Sequence, residues 1–346
     1  MLVPGERAAA GNRRPPKANR GLAVGRGRGC DGAEREGFEP PVQLPVRRIS
    51  SAVRSSTPAS FHRIDGAKVR LFFELCTMFG KNSLFLPPLM KISVVQMNVS
   101  ARSVEENIRR ADALISAHPG ADVYVLPEMF STGFDMEPDV AAEPVGGPTV
   151  QWMVRKAAGM NAAICGSVAT AVELFTYTNR MYFVEPDGTI TVYDKRHLFS
   201  YSGENLLYTA GTGRVVKEFR GVRFLLEVCY DLRFPVWSRC RDDYDVILYV
   251  ANWPVKRRAA WDALLVARAI ENQCYVVGAN RVGTDRLGCV YDGGSVVVHP
   301  YGNIVARAGV GEETVFMADI DMAGLSEYRA KFPSLGDSDD FEIRLV

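Results

Sequence analysis

Residues 224–235 read Phe-Leu-Leu-Glu-Val-Cys-Tyr-Asp-Leu-Arg-Phe-Pro, an apolar run that turns polar directly after Cys229. The run has the length of a β-strand, and Pro235 is suited to start a helix because it lacks an N–H that would have no partner there. A side chain at such a strand-to-helix turn faces solvent, and the amides that follow can bind an oxyanion. Cys229 is therefore a candidate nucleophile. The alternative is a buried cysteine that packs as a small hydrophobic residue.

Strands and helices alternate from residue 91 onwards, and hairpins follow towards the end of the chain. Strand patterns occur at 91–97, 121–126, 162–168, 180–185, 189–193, 245–250 and 274–279, with short ones near 286–291, 294–299, 303–307 and 314–320. Helical patterns occur at 103–118, 149–160, 257–272 and 322–331. Ser103, with Glu106 three positions later, predicts a capping box at the first of these helices. The pattern predicts an α/β protein with mixed sheets that are covered by helices.

The first ninety residues differ in composition from the rest. Residues 1–90 carry 15 Lys and Arg against 7 Asp and Glu, and residues 91–346 carry the other 26 against 33, so the two parts have net charges of +8 and −7. Residues 1–70 are rich in Gly, Pro, Arg and Ser, which is typical of disorder. Because residues 34–41 resemble the translation of a transfer-RNA gene, we expect residues 1–89 to be disordered, non-native upstream translation. The folded domain is then residues 90–346, starting at Met90; a regulatory tail is the alternative.

Charge and cysteine usage limit the class of function. A main body of charge −7 argues against nucleic acid as a partner. The chain has seven cysteines, with neither CxxC nor zinc-ligand spacing, so we expect no metal, no disulfide framework and a reducing cytoplasm. No apolar run reaches the roughly 18 residues of a membrane span.

Reactive side chains follow the ends of the predicted strands, namely Glu128, Lys195, Cys229 and the pair Asn252-Trp253. Loops at such positions often carry the chemistry of α/β folds. A thiol needs a cation that lowers its pKa or a base that takes its proton. A lysine can stabilise the thiolate and an oxyanion, while a carboxylate carries the proton to a leaving nitrogen.

Three motifs around these residues closely resemble the Glu-Lys-Cys triad of the nitrilase (carbon–nitrogen hydrolase) superfamily, in the order 126–130, 193–199 and 228–235. The resemblance covers about residues 90–346. It implies an α-β-β-α sandwich of two mixed sheets, amide hydrolysis through a thioester on Cys229, and no cofactor. It also implies a second glutamate in the loop after the lysine, for which Glu204 is the candidate.

Longer strings at 229–239, 249–254 and 267–273 resemble the bacterial omega-amidase branch, which acts on 2-oxoglutaramate and 2-oxosuccinamate. These substrates carry a carboxylate beside a keto group, and Arg233 is the expected bidentate partner of that carboxylate. An ion pair of Arg233 with a nearby aspartate is the alternative. The resemblance also implies a homodimer or a larger homo-oligomer, and we assign the backbone N–H of Tyr230 to the oxyanion.

Aromatic residues near the motifs could form the walls of the pocket, or could instead belong to the core: Phe130, Phe134 and Trp253. Glu227 departs from the family pattern, which has an apolar residue or glycine there. If the strand stays regular, Glu227 and Cys229 face the same side; a bulge, a local ion pair and a role in the pocket are all open.

Three other readings of the site remain open. One is another amide, N-carbamoyl or nitrile substrate of the same chemistry. The second is a redox thiol with Cys240 as resolving cysteine, and the third is a binding protein with an inactive site.

Overall fold

The computed structural model of the protein describes residues 89–344. The prediction for residues 1–89 therefore lies, apart from Leu89, outside the described residues. None of the helices within residues 89–344 combines the length and the apolar character that a membrane crossing requires.

The strands within the described residues are β1 (Met90–Gln96), β2 (Val123–Val125), β3 (Glu143–Pro144), β4 (Ala163–Glu173), β5 (Thr176–Val184), β6 (Ile190–Asp194), β7 (Val216–Phe219), β8 (Val222–Val228), β9 (Val246–Ala251), β10 (Tyr275–Asn280), β11 (Val282–Thr284), β12 (Val290–Asp292), β13 (Val296–Val298), β14 (Ile304–Arg307) and β15 (Thr314–Ile320). The helices are α1 (Val104–Ala117), α2 (Pro138–Ala141), α3 (Pro148–Met160), α4 (Glu204–Leu207), α5 (Pro235–Ser238), α6 (Arg258–Glu271) and α7 (Met322–Lys331).

The long strands form two mixed sheets. The first has the order β15-β1-β2-β4-β5-β6, with β3 beside β4, and the second has the order β14-β13-β10-β9-β8-β7. Strands β1, β2 and β4 are parallel neighbours in the first sheet, as β8, β9 and β10 are in the second. Since β6 pairs with β5 and β5 with β4, both antiparallel, β6 runs in the direction of β2.

The two sheets pack face to face with helices outside, which confirms the predicted α-β-β-α sandwich. Alternate residues of the strands, such as Ile92 and Val94 in β1 and Leu226 and Val228 in β8, fill the core between the sheets. The opposite face of the first sheet packs on α1 and α3, and that of the second packs on α6. Alternation with a period of two thus gives each sheet two apolar faces, each covered by another layer.

Local details of the fold were predicted less accurately from the sequence than its architecture was. The predicted capping box at α1 is wrong, because the Ser103 hydroxyl donates to the Ala101 carbonyl instead of capping the helix. The sequence patterns also placed one short strand near residues 286–291. The structure has a separate two-stranded hairpin of β11 and β12 there, whose connecting loop reaches the candidate site described next.

Candidate active site

One cavity of about 390 Å³ is lined by Glu128, Lys195 and Cys229, so the structure brings the three predicted residues together. Each follows the carboxyl end of a strand: β2, β6 and β8 end just before them. The carboxyl ends of β2 and β6 meet at one edge of the first sheet, and that of β8 faces them from the second. The Lys195 ammonium donates to Glu128 Oε1 at 2.9 Å, with both side chains fully buried.

The Glu128 carboxylate is bound by donors from both sheets. Its Oε2 accepts from the backbone N–H of Asn252 at 2.8 Å, directly after β9. Its Oε1 accepts from the Asn179 amide at 2.7 Å, from within β5. The Asn252 amide also donates to the Glu128 carbonyl, at 2.8 Å. The carboxylate is therefore fixed in orientation before any ligand arrives.

Cys229 lies in a left-handed backbone conformation, with φ of 46°, as the first residue of a turn of 3₁₀ helix. This region is unusual for a residue with a side chain, and it occurs often at functional turns. The Asp231 carboxylate stabilises the turn: it accepts from the Val228 N–H at 2.9 Å and from the Tyr193 hydroxyl at 2.8 Å. The turn directs the half-buried Cys229 towards the cavity.

Glu204 lies behind Lys195 rather than in the cavity wall. Its two oxygens accept from the Lys195 ammonium at 3.1 and 2.8 Å, and Oε2 also accepts from the Phe199 N–H at 2.5 Å. The structure thus places the predicted second glutamate beside the lysine. Its carboxylate is suited to hold Lys195 and the 199–204 loop, and it is separated from the cavity by the lysine.

Asn179 is a functional residue that the sequence patterns missed. Its amide donates to Glu128 at 2.7 Å and to Glu204 at 3.1 Å, and its carbonyl oxygen accepts from Ser167 at 2.9 Å. It thereby joins the two carboxylates on either side of Lys195. Asn179 stands between Thr178 and Arg180 in β5, so the sequence around it does not indicate that this polar side chain is buried and needs partners.

The protonation of the site follows from this packing. Burial alone would lower the pKa of Lys195, but the charges of Glu128 and Glu204 outweigh it and hold the pKa above its usual range. Burial raises the pKa of Glu204, against the opposing charge of Lys195. Burial, and then the charge of Glu128, raise the pKa of Cys229 well above its usual value. Burial and the charge of Glu128 thus oppose the effect expected of Lys195, whose charge favours the ionised sulfur.

The predicted substrate-binding residues line the same cavity, namely Phe134, Tyr230, Arg233 and Trp253. The guanidinium of Arg233 lies 4.9 Å from the centre of the Trp253 ring. Within residues 89–344 it forms no ion pair, so the alternative of an ion pair with a nearby aspartate is wrong. Phe130 does not line the cavity: it is fully buried against Trp152, with ring centres 5.9 Å apart, and belongs to the core.

Glu227 does not face the cavity, contrary to the expectation from a regular strand. Strand β8 ends at Val228, and the left-handed turn at Cys229 breaks the alternation. The Glu227 carboxyl is fully buried; its Oε2 accepts from the Ser238 hydroxyl at 2.9 Å, while Oε1 has no partner. Burial, and then the charge of Asp231, raise the pKa of Glu227 to about 8.

The raised pKa of Glu227 predicts how stability depends on pH. Between pH 4.5, its ordinary pKa, and about 8, the unfolded chain loses the Glu227 proton while the folded protein keeps it. The free energy of unfolding should therefore fall as pH rises through this window, by at most about 1.4 kcal/mol per pH unit from this group. In Glu227→Gln this contribution disappears, so urea unfolding at pH 5, 6.5 and 8 should show a flatter decline than in wild type. The exposed Glu218→Gln is the control; parallel wild-type and Glu227→Gln profiles would contradict the assignment.

Two further possibilities for the site are a second reactive thiol and a metal centre. Cys240, the proposed resolving cysteine, is buried, lies 3.6 Å from the Tyr244 carbonyl and does not line the cavity. The redox reading of the site thus gains no support. In the part of the chain that the structure describes, no three His, Cys, Asp or Glu side chains are grouped so as to hold a metal ion.

Known proteins resemble this chain over its described part. The family model for carbon–nitrogen hydrolase matches residues 91–330. The chain is 50% identical to the omega-amidase YafV of Escherichia coli K12, over 74% of this chain and 99% of that protein. It is 36% identical to the 2-oxoglutaramate amidase of Bacillus subtilis, over 71% of this chain and 96% of that protein.

A solved structure agrees with these relatives. The crystal structure of XC1258 from Xanthomonas campestris is described as a CN-hydrolase superfamily protein with an arsenic adduct in its active site. It is similar to this chain with a TM-score of 0.72 and 41% identity, covering 74% of this chain and 99% of that chain. The family match, the sandwich and these identities lead to one conclusion: the chain belongs to the carbon–nitrogen hydrolase family of the nitrilase superfamily.

Proposed function

We propose that the protein is an omega-amidase, which hydrolyses the side-chain amide of 2-oxo acid monoamides such as 2-oxoglutaramate and 2-oxosuccinamate to the dicarboxylate and ammonia. One observation carries the choice of substrate: the cavity with Glu128, Lys195 and Cys229 also holds Arg233, which forms no ion pair within the described residues. A cationic group without an acidic partner suits an anionic ligand. The names of the E. coli and B. subtilis relatives support the same activity.

The first step forms the tetrahedral intermediate that precedes the thioester. The Cys229 sulfur attacks the carbonyl carbon of the substrate amide, and the thiol proton passes to the Glu128 carboxylate. The carbonyl oxygen becomes an oxyanion, which the Lys195 ammonium and the backbone N–H of Tyr230 stabilise. Since the thiol has a raised pKa, its proton leaves as the carbon–sulfur bond forms.

Glu128 then acts first as a general acid and later as a general base. It gives its proton to the amide nitrogen, the carbon–nitrogen bond breaks, and ammonia leaves a thioester on Cys229. Water attacks the thioester as Glu128 takes one of its protons; the carbon–sulfur bond breaks, and Glu128 returns the proton to the sulfur. The product forms as a carboxylic acid, which gives its remaining proton to ammonia or to water. Glu204 acts through Lys195, whose ammonium it holds in place at 2.8 Å.

Arg233 binds the carboxylate at the other end of the substrate. Its guanidinium is stacked against Trp253, which fixes its plane while leaving its N–H donors available. Phe134, whose ring centre lies 5.4 Å from Lys195 Nζ, and Trp253 form apolar walls for the methylene groups. An amidase or N-carbamoyl hydrolase for a different acyl group is the competing function.

A panel assay of ammonia release tests the proposed function. Wild type should turn over 2-oxoglutaramate and 2-oxosuccinamate in preference to glutamine, N-carbamoyl amino acids and simple nitriles. Arg233→Met should lower kcat/KM for 2-oxoglutaramate by about 100-fold, because a charge-assisted bidentate contact is lost. Arg155→Met, an exposed arginine on α3 outside the cavity, is the matched control. Preference for a carbamoyl substrate, or an unchanged Arg233→Met, would contradict the proposal.

We also propose a homodimer or a larger homo-oligomer in the cytoplasm. Tyr301, Tyr328 and Phe332 pack in series, with ring centres 4.1 and 6.4 Å apart, and Tyr301 and Phe332 are more than half exposed. Such an apolar surface supports contact with another copy. The cysteines of the described residues are free thiols, which supports a reducing compartment.

A further inference from the structure

The cavity holds more cationic side chains than the proposed reaction has used. Among the described arginines that line it, Arg286 pairs with Asp135 at 3.3 Å, and Arg281 donates to the Val99 carbonyl at 2.8 Å. Arg281 also has no acidic partner, but its donors bind the carbonyls of Val99 and Val282. In the other two, Arg233 and Arg257, the guanidinium donates no hydrogen bond within residues 89–344. Like Arg233, Arg257 forms no ion pair within residues 89–344.

Arg257 is held in place without being neutralised. It closes a turn of 3₁₀ helix after β9, where its N–H donates to the Pro254 carbonyl at 2.9 Å. Its own carbonyl accepts from the Trp253 indole N–H at 2.8 Å. Its guanidinium lies 5.1 Å from the ring centre of Phe199 and 5.0 Å from that of Tyr201. Aromatic faces attract a cation without removing its charge, so the guanidinium stays available to a ligand.

One residue links the two arginines. Trp253 lies under the Arg233 guanidinium and, through its indole N–H, also binds the Arg257 backbone. Two guanidinium groups in one cavity that have neither an acidic partner nor a hydrogen-bond acceptor repel each other, which lowers the stability of the empty site. An acceptor-rich ligand offsets this repulsion. The arrangement is therefore that of a preorganised site for one compact head group with several oxygens.

We infer that Arg257 is a specificity-determining residue that binds the 2-oxo oxygen of the substrate, while Arg233 binds the adjacent carboxylate. This rests on the proposed function. With the carboxylate on Arg233 and the scissile amide at Cys229, the keto oxygen is the strong acceptor that is left on a 2-oxo acid monoamide. Arg257 is the cavity arginine that is left to donate to it.

The same contact excludes the 2-amino acid analogue. Glutamine differs from 2-oxoglutaramate at carbon 2, where an ammonium replaces the keto oxygen. An ammonium there would face Arg257 with like charge, a repulsive element that adds to the lost contact. Arg257 thus both favours 2-oxo substrates and disfavours glutamine, which has the same carboxylate and the same amide.

A matched pair of substrates separates the two arginines. Glutaramate has the carboxylate and the amide of 2-oxoglutaramate but a methylene group at carbon 2. Arg257→Met should lower kcat/KM for 2-oxoglutaramate by about tenfold or more, because a charge-assisted hydrogen bond is lost, and should change it by less than about threefold for glutaramate. Arg233→Met should lower both alike. Arg257→Lys, which retains the charge, should keep most of the discrimination against glutamine that Arg257→Met loses.

Arg155→Met is again the control, and circular dichroism with thermal unfolding checks that each variant is folded. Equal losses on both substrates with Arg257→Met, or no loss on either, would overturn the role of Arg257 and leave the proposed function standing. A wild-type enzyme without activity on 2-oxoglutaramate that hydrolyses other amides would overturn the proposed function itself.

Discussion

Glu128→Gln is expected to lower kcat for 2-oxoglutaramate by about three to four orders of magnitude. The carboxylate takes the thiol proton, gives a proton to the departing nitrogen and activates water, and each role is of the kind that contributes about 10²- to 10⁴-fold. A glutamine retains the shape and can still accept from the Asn252 N–H, which now binds Oε2 at 2.8 Å. It cannot take up a proton, and its amide would turn a donor towards either Lys195 or Asn179.

Steady-state ammonia release measures this loss. Glu218→Gln, an exposed carboxylate on β7, is the control for the substitution itself. Thermal unfolding shows whether the variant is folded. A folded Glu128→Gln enzyme within tenfold of the wild-type kcat would mean that another group transfers the protons.

Cys229→Ala is expected to remove turnover by about four orders of magnitude or more and to remove the covalent intermediate altogether. Because the residues of a catalytic unit depend on one another, removing the sulfur leaves Glu128 and Lys195 with little activity. Rapid quenching followed by intact-protein mass spectrometry should detect wild-type enzyme carrying the acyl group of the substrate. The same experiment on Cys229→Ala should detect none.

Cys240→Ala is the matched control for the thiol, because Cys240 is buried outside the cavity. It should retain both the acyl-enzyme and turnover. Acyl-enzyme in Cys229→Ala, or its loss in a folded Cys240→Ala, would contradict the assignment of the nucleophile.

Residues at strand ends were predictable from the sequence, and residues inside strands were not. Glu128, Lys195 and Cys229 each follow an apolar run, and parallel strands bring such ends to one edge. Asn179 lies within β5, where a polar side chain usually indicates a solvent-facing position. Its place between two carboxylates depends on how β5 pairs with β4 and β6, which the sequence does not show.

Local sequence patterns did not determine the features that depend on tertiary structure. The position of Glu227 was inferred from alternation, but the left-handed Cys229 ends the strand one residue earlier. Arg257 gave no signal, because nothing in its neighbourhood of the sequence indicates that residues 199 and 201 place aromatic rings against it. The ionisation of Cys229 depends on burial and on Glu128, and neither can be derived from spacing.

Glu128 accepts hydrogen bonds from both sheets of the sandwich, and this has a consequence for when activity appears during folding. Asn179 and Lys195 approach the carboxylate from one layer of the sandwich, and Asn252 and Cys229 belong to the other. A half-molecule that contained either layer alone would carry only part of the proton-transfer machinery. The folding chain should therefore be inactive until its two layers have docked. Ammonia release would then appear only late in folding, when the sandwich is complete.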